Sequence, residues 1–147
     1  MTNIARVSPA EAKRLIDEEG YTYVDVRSVP EYDAGHPAGS ANVPLLHAGA
    51  GGMTPNPDFL AVMTALYPKD TKLVLGCRSG QRSLRAAEAL AAAGYVALVD
   101  QRAGFDGARN AFGAIAEPGW SAEGLPVETT TPGSSYAELQ KRVASSG

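Results

Sequence analysis

Leu73-Val74-Leu75-Gly76-Cys77-Arg78-Ser79-Gly80-Gln81-Arg82-Ser83 is the stretch whose reading decides the fold of this chain. A short apolar run ends on the only cysteine, passes through a glycine-containing loop flanked by two arginines, and enters an alanine-rich helical pattern. Strand, tight loop and helix in that order form the repeating unit of an α/β sheet. They also make a nucleophile site, because backbone N–H groups and the positive end of the helix dipole converge on Cys77 while Arg78 and Arg82 add charge. All three effects favour thiolate over thiol, whose ordinary titration near ~8.5 falls in electropositive surroundings. A lone cysteine is commonly a small buried hydrophobe. The polar run Arg78 to Ser83 argues instead for a reactive thiol.

Working outward, Leu84, Ala87, Leu90 and Ala91 form the buried stripe of the helix behind the loop, with Ser83 as its N-cap and Gly94 as its stop. Tyr95 to Val99 predicts the next strand, Gln101 to Phe105 a loop at the same sheet edge, and Asp106 to Phe112 a short helix. Upstream, Thr71 to Leu75 is the strand leading into the loop. Asn56-Pro57-Asp58 caps a helix that carries Phe59, Met63, Leu66 and Tyr67 on one face. The Gly- and Ala-rich stretch from His47 to Asn56 reads as a surface loop, and Asn42 to Leu45 as a brief strand. Pro30 to Ala34 makes a single helical turn closed by Gly35. Tyr21 to Val26 is a buried strand whose polar C-terminal end, Asp25-Val26-Arg27-Ser28, faces the crevice where α/β sheets bind ligands. Ser8-Pro9-Ala10-Glu11 predicts a helix start with a capping box, and Gly20 its end. Strands alternating with helices predict a mostly parallel sheet covered on both faces. Residues 1–128 form the expected domain, and 129–147 a Thr/Pro/Ser linker with a weak terminal helix or flexible tail.

The chain has 147 residues, suited to one domain that buries about two-thirds of its unfolded surface. Its 44% hydrophobic and 20% charged content is ordinary for a globular protein, and a net charge of −3 makes nucleic acid an unexpected partner. One cysteine makes no internal disulfide, and an exposed thiolate is kept most easily in a reducing compartment, so the expected location is the cytoplasm. Met1 to Val7 has no long apolar run, and no segment approaches the ~18 uninterrupted apolar residues of a membrane span. No membrane partner is expected. His36 reads as a hydrogen-bonded brace, and its distance in sequence from His47 argues against a metal site. Asp25 with Arg27 reads as a structural ion pair, and Trp120 as packing.

In order along the chain, Asp25-Val26-Arg27, Pro30-Glu31-Tyr32, Gly35-His36 with Asn42-Val43-Pro44, and the loop from Cys77 to Ser83 together resemble a single-domain rhodanese, a sulfurtransferase of the rhodanese-like superfamily. The resemblance runs from about Ser8 to Val127. It implies a three-layer α/β fold with a central, mostly parallel sheet flanked by helices, and a chemistry that needs no cofactor. By matching positions it implies that Cys77 is the catalytic nucleophile and that Arg78, Ser79, Gly80, Gln81 and Arg82 form a loop that binds the anionic substrate. Asp25, Arg27, Glu31 and His36, with Ser83, match supporting positions. The family takes sulfane sulfur from a donor such as thiosulfate as a cysteine persulfide and passes it to cyanide or a thiol, including a protein thiol. Ala103-Gly104 stands where the family often has paired glycines.

That chemistry suits the residues. A thiolate attacking a doubly charged anion needs positive charge nearby, and Arg78 and Arg82 offer planar multi-donor contacts to sulfonate oxygens. Loop N–H groups would cradle the sulfur, and an already ionised nucleophile needs no general base. Two other readings belong to different classes. One is a persulfide carrier or non-catalytic interaction module. The other is a phosphatase or arsenate reductase, yet cysteine-dependent phosphatases use Cys-x5-Arg, whereas four residues separate Cys77 from Arg82. The shorter loop points to sulfur rather than phosphate.

Overall fold

The computed structural model describes residues 4–146. The chain opens with strand β1 (Ala5–Val7), an element the sequence did not suggest, followed by helix α1 (Pro9–Glu19). Ser8 caps α1 by accepting from the Glu11 amide at 3.1 Å, and Gly20 ends it in the left-handed region at φ 74°. The Glu11 carboxylate turns to Arg14 instead of closing the expected capping box. Strand β2 (Thr22–Asp25) leads to the short helix α2 (Val29–Ala34), where Ser28 donates from both its amide and its hydroxyl to Glu31. Then come β3 (His36–Pro37), β4 (Ala41–Asn42), β5 (Leu46–Gly49), β6 (Gly52–Pro55), α3 (Phe59–Leu66), β7 (Leu73–Gly76) and α4 (Gln81–Ala92). The chain ends with β8 (Leu98–Gln101), β9 (Gly107–Arg109), β10 (Ile115–Pro118), β11 (Val127–Glu128) and α5 (Tyr136–Ser146).

Five strands form one parallel sheet in the order β1-β8-β7-β2-β4, with β7 at its centre. Val24, Leu73 and Leu75 point to one face, where Phe59, Val62 and Met63 of α3, Ala86, Ala87 and Leu90 of α4, and Tyr136 and Leu139 of α5 pack against them. Tyr23, Val74 and Val99 point to the other, against Ala12 and Leu15 of α1 and Trp120. The period-two alternation of each strand thus feeds two apolar layers, which gives the expected helix–sheet–helix sandwich. The segment after Glu128 returns to the body through Tyr136 and Leu139, which are 5% and 2% exposed.

Several local expectations are corrected. The segment from His47 to Asn56 is not a loop but the antiparallel hairpin β5–β6, closed by Ala50 and Gly51 and by Gly52 at φ 104°. No helix forms over Asp106 to Phe112. Gly107 sits at φ 117°, where a β-carbon would meet the Glu117 carbonyl oxygen at 2.9 Å, and the Asn110 side chain accepts from the Phe112 and Ala114 amides, turning the chain into hairpin β9–β10. Helix α4 begins at Gln81 with Gly80, not Ser83, at its N-cap. The strand expected from Tyr95 starts only at Leu98, because the Tyr95 ring lies in the core with its hydroxyl bonded to the Met63 and Tyr67 carbonyls. Asn42 ends β4 and donates its side-chain amide to the Asp25 and Arg27 carbonyls.

Candidate functional site

Cys77 follows directly on the central strand and stands 2% exposed at the C-terminal edge of the sheet. Three glycines shape its surroundings. A side chain on Gly76 would collide with the Tyr23 hydroxyl, one on Gly80 with the Arg102 carbonyl, and one on Gly104 with the Arg78 backbone. Gly80 and Gly104 also hold φ 99° and 69°, a region that strains any residue with a β-carbon. The loop is pinned from outside as well, since Phe105 and Asp106 donate their amides to the Cys77 and Arg78 carbonyls at 2.7 and 2.9 Å. That turn is held in place by Gln101, whose side-chain oxygen accepts from the Ala103 and Gly104 amides at 2.9 Å. Ala103 is fully buried, so the methyl group at this position fits the site.

The Gly80 amide donates to Cys77 Sγ at 3.1 Å. Gly80 caps α4, so the sulfur sits at the positive end of a 12-residue helix and receives one of the N–H groups that a helix N-terminus leaves without intrahelical partners. On its other side the sulfur lies 3.4 Å from Ser83 Oγ. Ser83 is thus the first residue of the inward stripe Ser83, Ala86, Ala87 and Leu90 rather than a cap.

The arginines arrive already paired. Arg82 reaches across to α2 and binds both Glu31 oxygens at 2.7 and 3.0 Å. Burial opposes ionisation of Glu31, yet Arg82 and Ser28 together hold its carboxyl down at about 2. Arg78 binds Asp106 at 2.7 Å and is 58% exposed, a geometry that leaves the rest of its guanidinium to solvent. Arg27, nearly buried, forks onto Asp25, donates to the Gly35 carbonyl at 2.7 Å and lies 4.4 Å from the centre of the Phe105 ring. Asp25 and Arg27 therefore support the loop through Phe105, the residue that pins the Cys77 carbonyl. His36 does not touch the loop. Its ring stacks on Tyr32 at 3.6 Å, with Nδ1 on the Tyr32 carbonyl and Nε2 on the Thr131 hydroxyl. It ties α2 to the segment leading to α5.

Cavities open on both sides of the loop. One, of about 290 Å³, is lined by Ser79, Gly80 and Gln81 together with Arg6, Arg102 and Arg109. The other, of about 280 Å³, is lined by Arg27, Glu31, Arg78, Phe105 and Asp106. Both carry guanidinium groups beside carboxylates, Glu117 in the first, and neither is lined by Cys77 itself. Among the described residues no cluster of three or more His, Cys, Asp or Glu side chains has the grouping a metal ion needs, and no helix is long and apolar enough to cross a membrane.

Sequence reasoning missed Asp100 and Arg6. Asp100 is fully buried, accepts from Ser83 Oγ at 2.5 Å and from Arg6 Nε at 2.8 Å, and has its titration raised by burial against the pull of those two donors. The signal was present in the alternation of β8. Leu98 faces α4, so Asp100, two residues on, occupies a core-facing position where a carboxylate needs a reason to be.

Comparison with known proteins agrees with this fold. Residues 8–111 match the rhodanese-like domain family. A rhodanese-like domain-containing protein 15, chloroplastic, of Arabidopsis thaliana is 33% identical over 120 residues, which cover 82% of this chain and 59% of that protein. The chain thus spans little more than half of that relative's length. Thiosulfate sulfurtransferase 16, chloroplastic, from the same plant is 34% identical over 109 residues, covering 74% of this chain and 81% of that one. The crystal structure of Rv0390 from M. tuberculosis superimposes with a TM-score of 0.71 at 30% identity, over 88% of this chain and the whole of the other.

Proposed function

Because this chain belongs to the rhodanese-like domain family, we propose that it transfers sulfane sulfur from thiosulfate or a related anionic donor to cyanide or a thiol, through a persulfide on Cys77. In the first half-reaction the Cys77 thiolate attacks the outer sulfur of thiosulfate. A new S–S bond forms at Cys77 while the S–S bond of the donor breaks, and sulfite leaves with the electron pair. In the second, the acceptor attacks the terminal sulfur and the Cys77 thiolate departs. Net charge is unchanged in the first step, so what the site must supply is relief from repulsion between two anions. The observation that carries the reading is the Gly80 amide aimed at Cys77 Sγ at the N-terminus of α4, with guanidinium groups lining the space on either side. Arg78, the more open of the two loop arginines, is the better placed to meet a sulfonate. Arg82 contributes charge while bracing Glu31. The four-residue gap between Cys77 and Arg82 supports sulfur over phosphate transfer. A reducing compartment, the cytoplasm in our reading, would keep Cys77 from over-oxidation, and cell fractionation tests that placement.

Thiocyanate release from thiosulfate and cyanide tests the reaction. The native chain should turn over and Cys77→Ser should be inert. Full activity in Cys77→Ser would overturn the assignment. Inertness of the native chain towards small donors, with sulfur delivered only to a protein thiol, would favour a carrier, and hydrolysis of an aryl phosphate would favour a phosphatase.

A further inference from the structure

Behind the Cys77 loop runs a polar chain from Ser83 through Asp100 to Arg6. Arg6 and Asp100 are direct partners in the parallel register of β1 and β8, and Leu75, two residues before Cys77, is the partner of Asp100 on the other side. The Asp100 carboxylate is fully buried and divides its oxygens, one accepting from Arg6 Nε at 2.8 Å and the other from Ser83 Oγ at 2.5 Å. Ser83, also fully buried, has its Oγ 3.4 Å from Cys77 Sγ.

Hydrogen-bond valence decides what this chain does. Ser83 owns one hydroxyl proton. While that proton points to an ionised Asp100, only oxygen lone pairs face Cys77, so the sulfur must supply the proton and stand as the thiol. When Cys77 is the thiolate, Ser83 must turn its proton to the sulfur, and its oxygen then faces Asp100 across 2.5 Å. Two bare acceptors at that separation repel, which favours a proton on Asp100.

We propose that Asp100 takes up, through Ser83, the proton that Cys77 gives up, so that thiol and carboxyl share one proton and titrate as a coupled pair. The Cys77 S–H bond breaks as a new bond forms to Ser83 Oγ, and the Ser83 O–H bond breaks as one forms to Asp100 Oδ1. Ser83 is regenerated, the net charge of the trio is the same on both sides, and no co-reactant is consumed. The burial that raises the titration of Asp100 brings it towards that of a thiol. The other charged or titratable groups facing the pair are Arg6 from β1, Arg82 from α4 and Tyr23 from β2. Asp100 acts through Ser83 and is a positioning residue, while Ser83 meets the reacting sulfur itself.

The inference rests on Cys77 as nucleophile, and its test measures ionisation without sulfur transfer, so the two readings fail separately. The rate of Cys77 alkylation by iodoacetamide is followed from acid to alkaline pH, with an infrared difference spectrum taken alongside. The native chain should give a two-step rate curve and a carboxylic acid carbonyl band that persists through the first step, while thiolate forms, and is lost only in the second. Asp100→Asn should give one step and lose that band. Ser83→Ala should lower the alkylation rate on the acid side of the native curve about tenfold, the equivalent of one titration unit. A single-step native curve superimposable on that of Asp100→Asn, without the acid band, would overturn the proposal. Thermal unfolding checks that each variant folds. Were Asp100→Asn to unfold, Ser83→Ala and the native infrared spectrum still decide the matter.

Discussion

Two aspartates lie in the strands on either side of the central strand, and they do opposite things. Asp25, 1% exposed at the end of β2, spends its oxygens on Arg27, taking its backbone amide as well as the guanidinium. Asp100, fully buried on β8 and facing the other side of the sheet, gives one oxygen to a half-exposed arginine and the other to a serine that touches the reactive sulfur. Burial of a carboxylate is common to both and predicts neither role. What separates them is whether the acceptor valences close on a single neighbour or continue towards a group that changes its protonation.

The largest effect should come from the closed pair. Arg27→Met leaves Asp25 buried with most of its partners gone and should cost about 3–5 kcal/mol in urea unfolding. An effect of that size from Arg6→Met would break the contrast. Next, Gly104→Ala forces a left-handed φ and a collision with the Arg78 backbone; it should cost about 1–3 kcal/mol and lower thiosulfate turnover by displacing the loop. Glu31→Gln should cost about 1–2 kcal/mol, since it weakens a partly buried fork. The sign of its pH dependence follows from the depressed carboxyl. Glu31 titrates at about 2 when folded and near 4.5 otherwise, so its stabilisation is complete above that upper value and is lost as pH falls towards about 2. Acid unfolding of Glu31→Gln should lack that component. The smallest change in stability, within about 1 kcal/mol, is expected for Arg6→Met, because its ion pair is 42% exposed on the arginine side. Yet removing a donor that holds Asp100 down should raise its hold on a proton, and with it the acid-side alkylation of Cys77.

The same contrast explains what was legible in the sequence. The stretch from Leu73 to Ser83 was readable because strand, glycine turn and helix are all local, and Ser8 and Gly20 marked α1 for the same reason. Arg27 with Asp25 was readable as a pair two residues apart. The partners of Asp100 were not, since Arg6 lies 94 residues away and Ser83 17, brought to it by the register of β1 with β8 and by the packing of α4 on the sheet. Glu31 and Arg82, 51 residues apart, meet for a similar reason, which no spacing rule reveals. The hairpins were lost to composition. Gly- and Ala-rich segments such as 46–55 carry little periodicity, and their pairing is set by positive-φ glycines and turn contacts.

Intact-mass measurement after exposure to thiosulfate shows whether Cys77 accepts a sulfur atom. A gain of one sulfur atom is expected, reversed by cyanide, mapped to Cys77 by peptide analysis and absent from Cys77→Ser. No gain in the native chain, or the same gain in Cys77→Ser, would contradict that role for Cys77.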